Sequence, residues 1–75
     1  MLPDPIPRHV LEDPFGAVRA EIRRQRQGGA TWDASWDRID LRWIDKAMLL
    51  YAQSNNLRTH GFRDYIEKPL REAAA

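Results

Sequence analysis

Cysteine is absent from the 75-residue chain, so no disulfide can brace the fold. With two histidines and no thiol, there is also no ligand set for a structural zinc. No apolar run approaches the roughly 20 residues that a membrane-spanning helix needs. The opening Met1-Leu2-Pro3-Asp4-Pro5 lacks the charged-then-apolar pattern of a secretory signal, so the expectation is a cytoplasmic protein without a membrane partner. Neither sign of charge dominates: 12 basic residues face 11 acidic ones, and a net charge of +1 exerts no global pull toward nucleic acid. Missing as well are a glycine-rich phosphate loop, a nucleophile elbow and a metalloprotease helix. His60 and Asp64 stand four residues apart, but a lone pair at this spacing is more often a surface contact than half of a catalytic site. The expectation is a protein that is not an enzyme and carries no cofactor or metal.

A chain of this length has room for one domain and buries roughly 60% of its unfolded surface, which leaves stability marginal. Without disulfides or metal, it depends on close helix packing or on a partner. Ten of the 12 basic residues are arginine. That bias reflects either planar, bidentate contacts or the codon usage of a GC-rich genome.

Residues 1–12 carry prolines at positions 3, 5 and 7, each of which fixes its own φ and pushes its predecessor toward extended geometry. They are predicted to form an extended, proline-rich arm, with Leu2, Ile6, Val10 and Leu11 as its apolar content. Residues 13–75 are predicted to form the helical domain. Asp13-Pro14 is a helix start, with aspartate as N-cap and proline at the first helical position. Leu11, Phe15, Val18 and Ile22 make one apolar stripe, and Gly28-Gly29 ends the helix, giving a first helix over residues 14–27.

The second helix is predicted over residues 32–54, as the centre of an all-α three-helix bundle. Trp32, Trp36, Ile39, Trp43, Ala47 and Leu50 are separated by 4, 3, 4, 4 and 3 residues. At 100° per residue they fall within about 40° of one line. Leu41, Ile44, Met48, Tyr51 and Ala52 form a second apolar group roughly 80–180° around the helix. A rod apolar over so much of its circumference is expected to be contacted from two sides. Thr31 is the favoured N-cap, and Asn55-Asn56 the stop. A third helix, over residues 60–68, begins after Thr59, carries Phe62, Tyr65 and Ile66 inward, and ends or kinks before Pro69.

Three sets of residues are candidates for contact. Trp32 and Trp36 lie on the first turns of the second helix, where a thin bundle has little to cover them, and tryptophan is a favoured interface anchor. Asp33, Asp37 and Asp40 form an acidic ladder beside them. That ladder either pairs with Arg19, Arg23 and Arg26 across the glycine link or meets an external partner. With Leu2 and Ile6 of the arm as anchors, this face is expected to bind another protein or a second copy of the chain. The alternative is a small nucleic-acid-binding regulator gripping phosphates through Arg19, Arg23, Arg24 and Arg26.

Overall fold

The local chemistry at Asp13 and Pro14 sets the first long helix. The Asp13 carboxylate accepts from the Gly16 backbone N–H at 3.0 Å, and Pro14 occupies a position whose N–H would have no partner. The computed structural model describes residues 4–74, which fold into five helices with no strand between them: α1 (Arg8–Glu12), α2 (Pro14–Gln27), α3 (Trp32–Asp37), α4 (Leu41–Ser54) and α5 (Phe62–Ala74). The all-α class is as expected, and α2 has the predicted limits. None of these helices is long and apolar enough to cross a membrane. The three-helix arrangement needs four corrections.

The proline-rich arm is helical in part. Nothing after Pro7 opposes a helix, and the Pro7 carbonyl accepts from the Val10 and Leu11 N–H groups at 3.0 and 3.3 Å. An Arg8–Glu12 ion pair spans the turn at 2.8 Å. Val10 is fully buried, so α1 belongs to the domain. Before it, the Asp4 carbonyl accepts from Arg42 Nη1 at 2.7 Å, and Ile6 is half-buried. Leu2 lies outside the described residues.

The rod predicted over residues 32–54 is two helices. Thr31 caps α3 as expected, its hydroxyl accepting from the Ala34 N–H at 3.1 Å. The chain then turns at Arg38 and Ile39, and Asp40 caps α4 by accepting from the Arg42 N–H at 2.9 Å. Aspartate and serine compete with helical hydrogen bonding through their side chains, and residues 31–40 contain four of them besides Thr31. The turn also carries Ile39 into the core, where it is 4% exposed.

The hub is α2, not the tryptophan-bearing segment, since α1, α3, α4 and α5 all pack on α2. Its inward face consists of Ala17, Val18 and Ile22, small or β-branched groups that let several neighbours approach. They join Ile39, Ala47, Phe62, Ile66 and Leu70 in the core, with Phe15, Trp32, Trp36, Trp43 and Tyr51 partly buried around them. The molecule measures 36 × 35 × 19 Å. Packed helices lie about 8–10 Å apart axis to axis, so the thin dimension holds two layers of helix, and Leu41 and Leu49 of α4 stay exposed.

Last, α5 runs from Phe62 through Pro69 to Ala74, where an end by Lys68 is predicted. Before it, Gly61 has φ +84°, a left-handed conformation that places the chain beside Tyr51, whose hydroxyl donates to the His60 carbonyl at 3.0 Å. Pro69 has no N–H to give the Tyr65 carbonyl, which would normally be an interior defect. Arg19 supplies the missing donor: its Nη2 donates to the Tyr65 carbonyl at 2.9 Å and its Nε to the Ile66 carbonyl at 3.2 Å. The helix therefore continues past the proline with that acceptor satisfied.

Arg19→Ala should lower stability by about 1.5–3 kcal/mol, the range for hydrogen bonds from a charged donor. In a Pro69→Ala background residue 69 regains its N–H, and the same substitution should cost clearly less. A double-mutant cycle measured by denaturant unfolding checks this coupling, and additive effects of the two substitutions would contradict it.

Candidate protein-binding surface

Position 67 organises the side of the molecule where α3 faces α5. Glu67 is 1% exposed, and its two carboxylate oxygens accept from four donors. Trp36 Nε1 at 2.7 Å and Arg63 Nε reach Oε2, while Arg71 Nε at 2.9 Å and Arg71 Nη2 reach Oε1. A carboxylate offers about four lone-pair sites, so this one is saturated. Burial pushes the Glu67 pKa up, but hydrogen bonds from Arg63, Arg71 and Trp36 together outweigh it and hold the carboxyl below the ordinary value of 4.5. Trp36 also meets Phe62 edge-on at 5.9 Å. It thus ties α3 to α5 and is half-buried.

Trp32 is placed differently. It is half-buried, and two guanidinium carbons sit over its ring, Arg26 at 4.3 Å and Arg71 at 5.0 Å from the centroid. Beside it the end of α2 and the end of α5 enclose a groove of about 330 Å³, lined by Arg23, Arg26, Gln27, Trp32, Leu70 and Ala73. Trp43 is half-buried against His9, edge-on at 5.7 Å.

The acidic ladder does not pair with the arginines of α2. Asp33 pairs with Arg63 of α5, and Asp40 with Arg42, at 2.6 Å. Hydrogen bonds from the Arg42 side chain and backbone hold the Asp40 carboxyl below its ordinary range. Asp37 is exposed, with no partner among the described residues. The break at residues 38–40 lies behind this outcome, because it separates Asp40 from the turn that carries Asp33 and Asp37.

The arginines of α2 are mostly engaged within the chain. Arg19 caps the α5 carbonyls, Arg24 pairs with Glu21 at 2.5 Å, and Arg26 donates to the Ala30 carbonyl at 3.1 Å while covering Trp32. Arg23 is exposed and has no partner among the described residues. His60 and Asp64 are both exposed.

A feature the sequence reading missed is where the leucines lie. Of the six described leucines only Leu70 is buried; Leu11, Leu41, Leu49, Leu50 and Leu57 are exposed. Leu41 and Leu49 lie eight residues apart on α4, about 12 Å along its axis and about 80° around it, with Asp45 between them. Leu57 is 80% exposed and has φ +65°, following Asn56 at +56°. Compared with known proteins, the chain matches no family model, no curated protein and no solved structure.

The direction of the Glu67 shift fixes the sign of an acid effect. Between its folded pKa and the ordinary 4.5, the folded protein binds fewer protons than the unfolded chain. The contribution is therefore complete above 4.5 and is lost as pH falls through that value toward the folded pKa. Glu21 and Asp40 shift the same way but are more open to solvent. Melting temperature should drop on acidification below 4.5, and Glu67→Gln should flatten this limb. At neutral pH the same variant should lose about 2 kcal/mol, or on the order of 10 °C in melting temperature. A variant with an unchanged acid limb would contradict the assignment.

Proposed function

We propose that the chain is a small non-enzymatic protein–protein interaction module: an adaptor, accessory subunit or inhibitor that acts by covering part of another protein. The observation that carries this reading is the outward leucine set, above all Leu41, Leu49 and Leu57. Single surface leucines are ordinary, but five of the six described leucines exposed on so small a chain leave apolar area for a partner to cover. Leu57 adds weight. Its backbone N–H donates to the Ala52 carbonyl at 2.7 Å and closes the end of α4, a position where glycine or asparagine would avoid the cost of a left-handed leucine, about 1 kcal/mol. The side chain gives little packing in return, being mostly in solvent.

The Trp/Asp-rich face contributes to this surface at its open points, half-exposed Trp32 and exposed Asp33 and Asp37, while Trp36 donates to Glu67 and Asp40 caps α4. A second copy of the chain is the simplest occupant, since two-fold pairing hides an apolar patch without a further partner. A cytoplasmic setting, suited to a cysteine-free chain, belongs to the same proposal. The nucleic-acid alternative has less support, because Arg19, Arg24 and Arg26 are engaged internally and Arg23 alone of the four is not.

The double variant Leu41→Glu/Leu49→Glu should keep the helical circular-dichroism signal and melting temperature of the parent. It should lose self-association or partner binding by about 2 kcal/mol or more, roughly thirtyfold, as read by sedimentation and by crosslinking in the native host. Leu57→Asn should leave the melting temperature equal or higher, since asparagine accepts the left-handed conformation more readily. A parent that sediments as a monomer, with the same crosslinked partners for parent and double variant, would sink this reading.

A further inference from the structure

The groove beside Trp32 differs from the leucine surface in charge. Arg23, Arg26 and Gln27 line it from α2, Leu70 and Ala73 from α5, and no acidic residue lines it. Glu67, which binds Arg71 beside Trp32, is buried and already saturated. Two helix C-termini approach the groove, each equivalent to about half a negative charge. The guanidiniums of Arg23 and Arg26 outweigh them, and Arg71 stands behind, sharing Glu67 with Arg63. The local sign is therefore positive, although the whole chain is nearly neutral at +1.

Shape and chemistry narrow the occupant. About 330 Å³ is at the lower end for a ligand site and holds a few side-chain groups. The apolar part of the lining is the edge of Trp32 with Leu70 and Ala73. A guanidinium stacked on an aromatic ring keeps its in-plane N–H groups free, the geometry that grips a carboxylate at two points. Arg26 has its guanidinium carbon over Trp32 and uses Nη1 for the Ala30 carbonyl, while Arg23 has all its donors available among the described residues. Stacking of a nucleobase on the indole would have to displace two guanidiniums.

We propose that this groove binds a short acidic segment of a partner protein, with an Asp or Glu side chain on Arg23 and Arg26 and an adjoining apolar side chain on Trp32, Leu70 and Ala73. The inference rests on the reading of the chain as a protein-binding module, but it uses a surface separate from the α4 leucines.

The test is a titration of the ¹⁵N-labelled full chain, followed at its indole and arginine Nε–H resonances. The probes are two short synthetic peptides with the same leucines, one carrying glutamates and the other glutamines, and a short oligothymidylate. The glutamate peptide should move the Trp32, Arg23 and Arg26 resonances saturably while those of Trp36 and Trp43 stay in place. It should bind about tenfold more tightly than the glutamine peptide, the scale of one charge-assisted contact. Arg23→Glu, an exposed substitution whose spectrum reports its own folding, should abolish that preference; Arg23→Gln should reduce it. Equal affinity for the two peptides, no saturable shift with the glutamate peptide, or tighter binding of oligothymidylate at the same resonances would each overturn the proposal. Sedimentation of the same sample reads α4 association separately, so a groove that fails while α4 pairing persists overturns this inference alone.

Discussion

The buried carboxylate of Glu67 is the constraint on which the arrangement of α3 and α5 depends. Taking a charge out of water costs several kcal/mol, and an ion pair offsets that cost only if its remaining hydrogen-bonding capacity is filled. Here it is filled, by one indole and two guanidiniums that arrive from two helices. Arg63 and Arg71 flank Glu67 at four residues on either side, so α5 positions them by its own periodicity. Trp36 is the donor that comes from elsewhere, and its bond sets how α3 lies against α5. Such a network contributes less to net stability than an apolar core of equal volume, but it leaves a misplaced α3 with an unsatisfied charge. Its effect is to select one packing among several that a small helical chain could adopt.

Arg19 plays a matching part on the opposite side of α5. Pro69 leaves one backbone acceptor without a helical partner, and a long side chain from α2 meets it. The defect in one helix thereby becomes a docking point for another. The arrangement also explains how so polar a helix as α2 can sit at the centre. Its inward contact is made by Ala17, Val18 and Ile22, and on its flank Arg19 holds α5 by hydrogen bonds to two backbone carbonyls.

How much of this is legible in the sequence differs from element to element, for physical reasons. The limits of α2 are written locally, in Asp13-Pro14 and Gly28-Gly29, and local rules hold there. The break at residues 38–40 is hidden because Trp32, Trp36, Ile39 and Trp43 keep helical phase across it, and periodicity responds to phase alone. Asp40 is the signal that was present: read as one rung of an acidic ladder, it is in fact the cap of a new helix. At Pro69 the local rule predicts an end, and a tertiary donor 50 residues upstream, Arg19, overrides it. The Arg63–Glu67–Arg71 spacing could have marked Glu67, since a carboxylate with a cation four residues to each side is built to be surrounded. That it would be buried depended on Trp36, which sequence spacing does not bring near it.

The leucines show where pattern reading runs out for the site. When a helix is apolar around most of its circumference, periodicity cannot say which part faces inward; the number and size of its neighbours decide. The indoles and Ile39 suggest a rod enclosed on two sides, yet α2 takes the central place, and Leu41 and Leu49 of α4 stay exposed. Leu41, Leu49 and Leu57 stay outside, while both leading tryptophans are half-buried. Those tryptophans work at the other pole of charge and polarity, one donating to a carboxylate and one under two guanidiniums. A chain too small to enclose all its apolar groups leaves most of its leucines outside and keeps the aromatic rings where their polar edges and faces have partners. This division follows from what each side chain requires when buried, and it yields two surfaces of different character on one small domain.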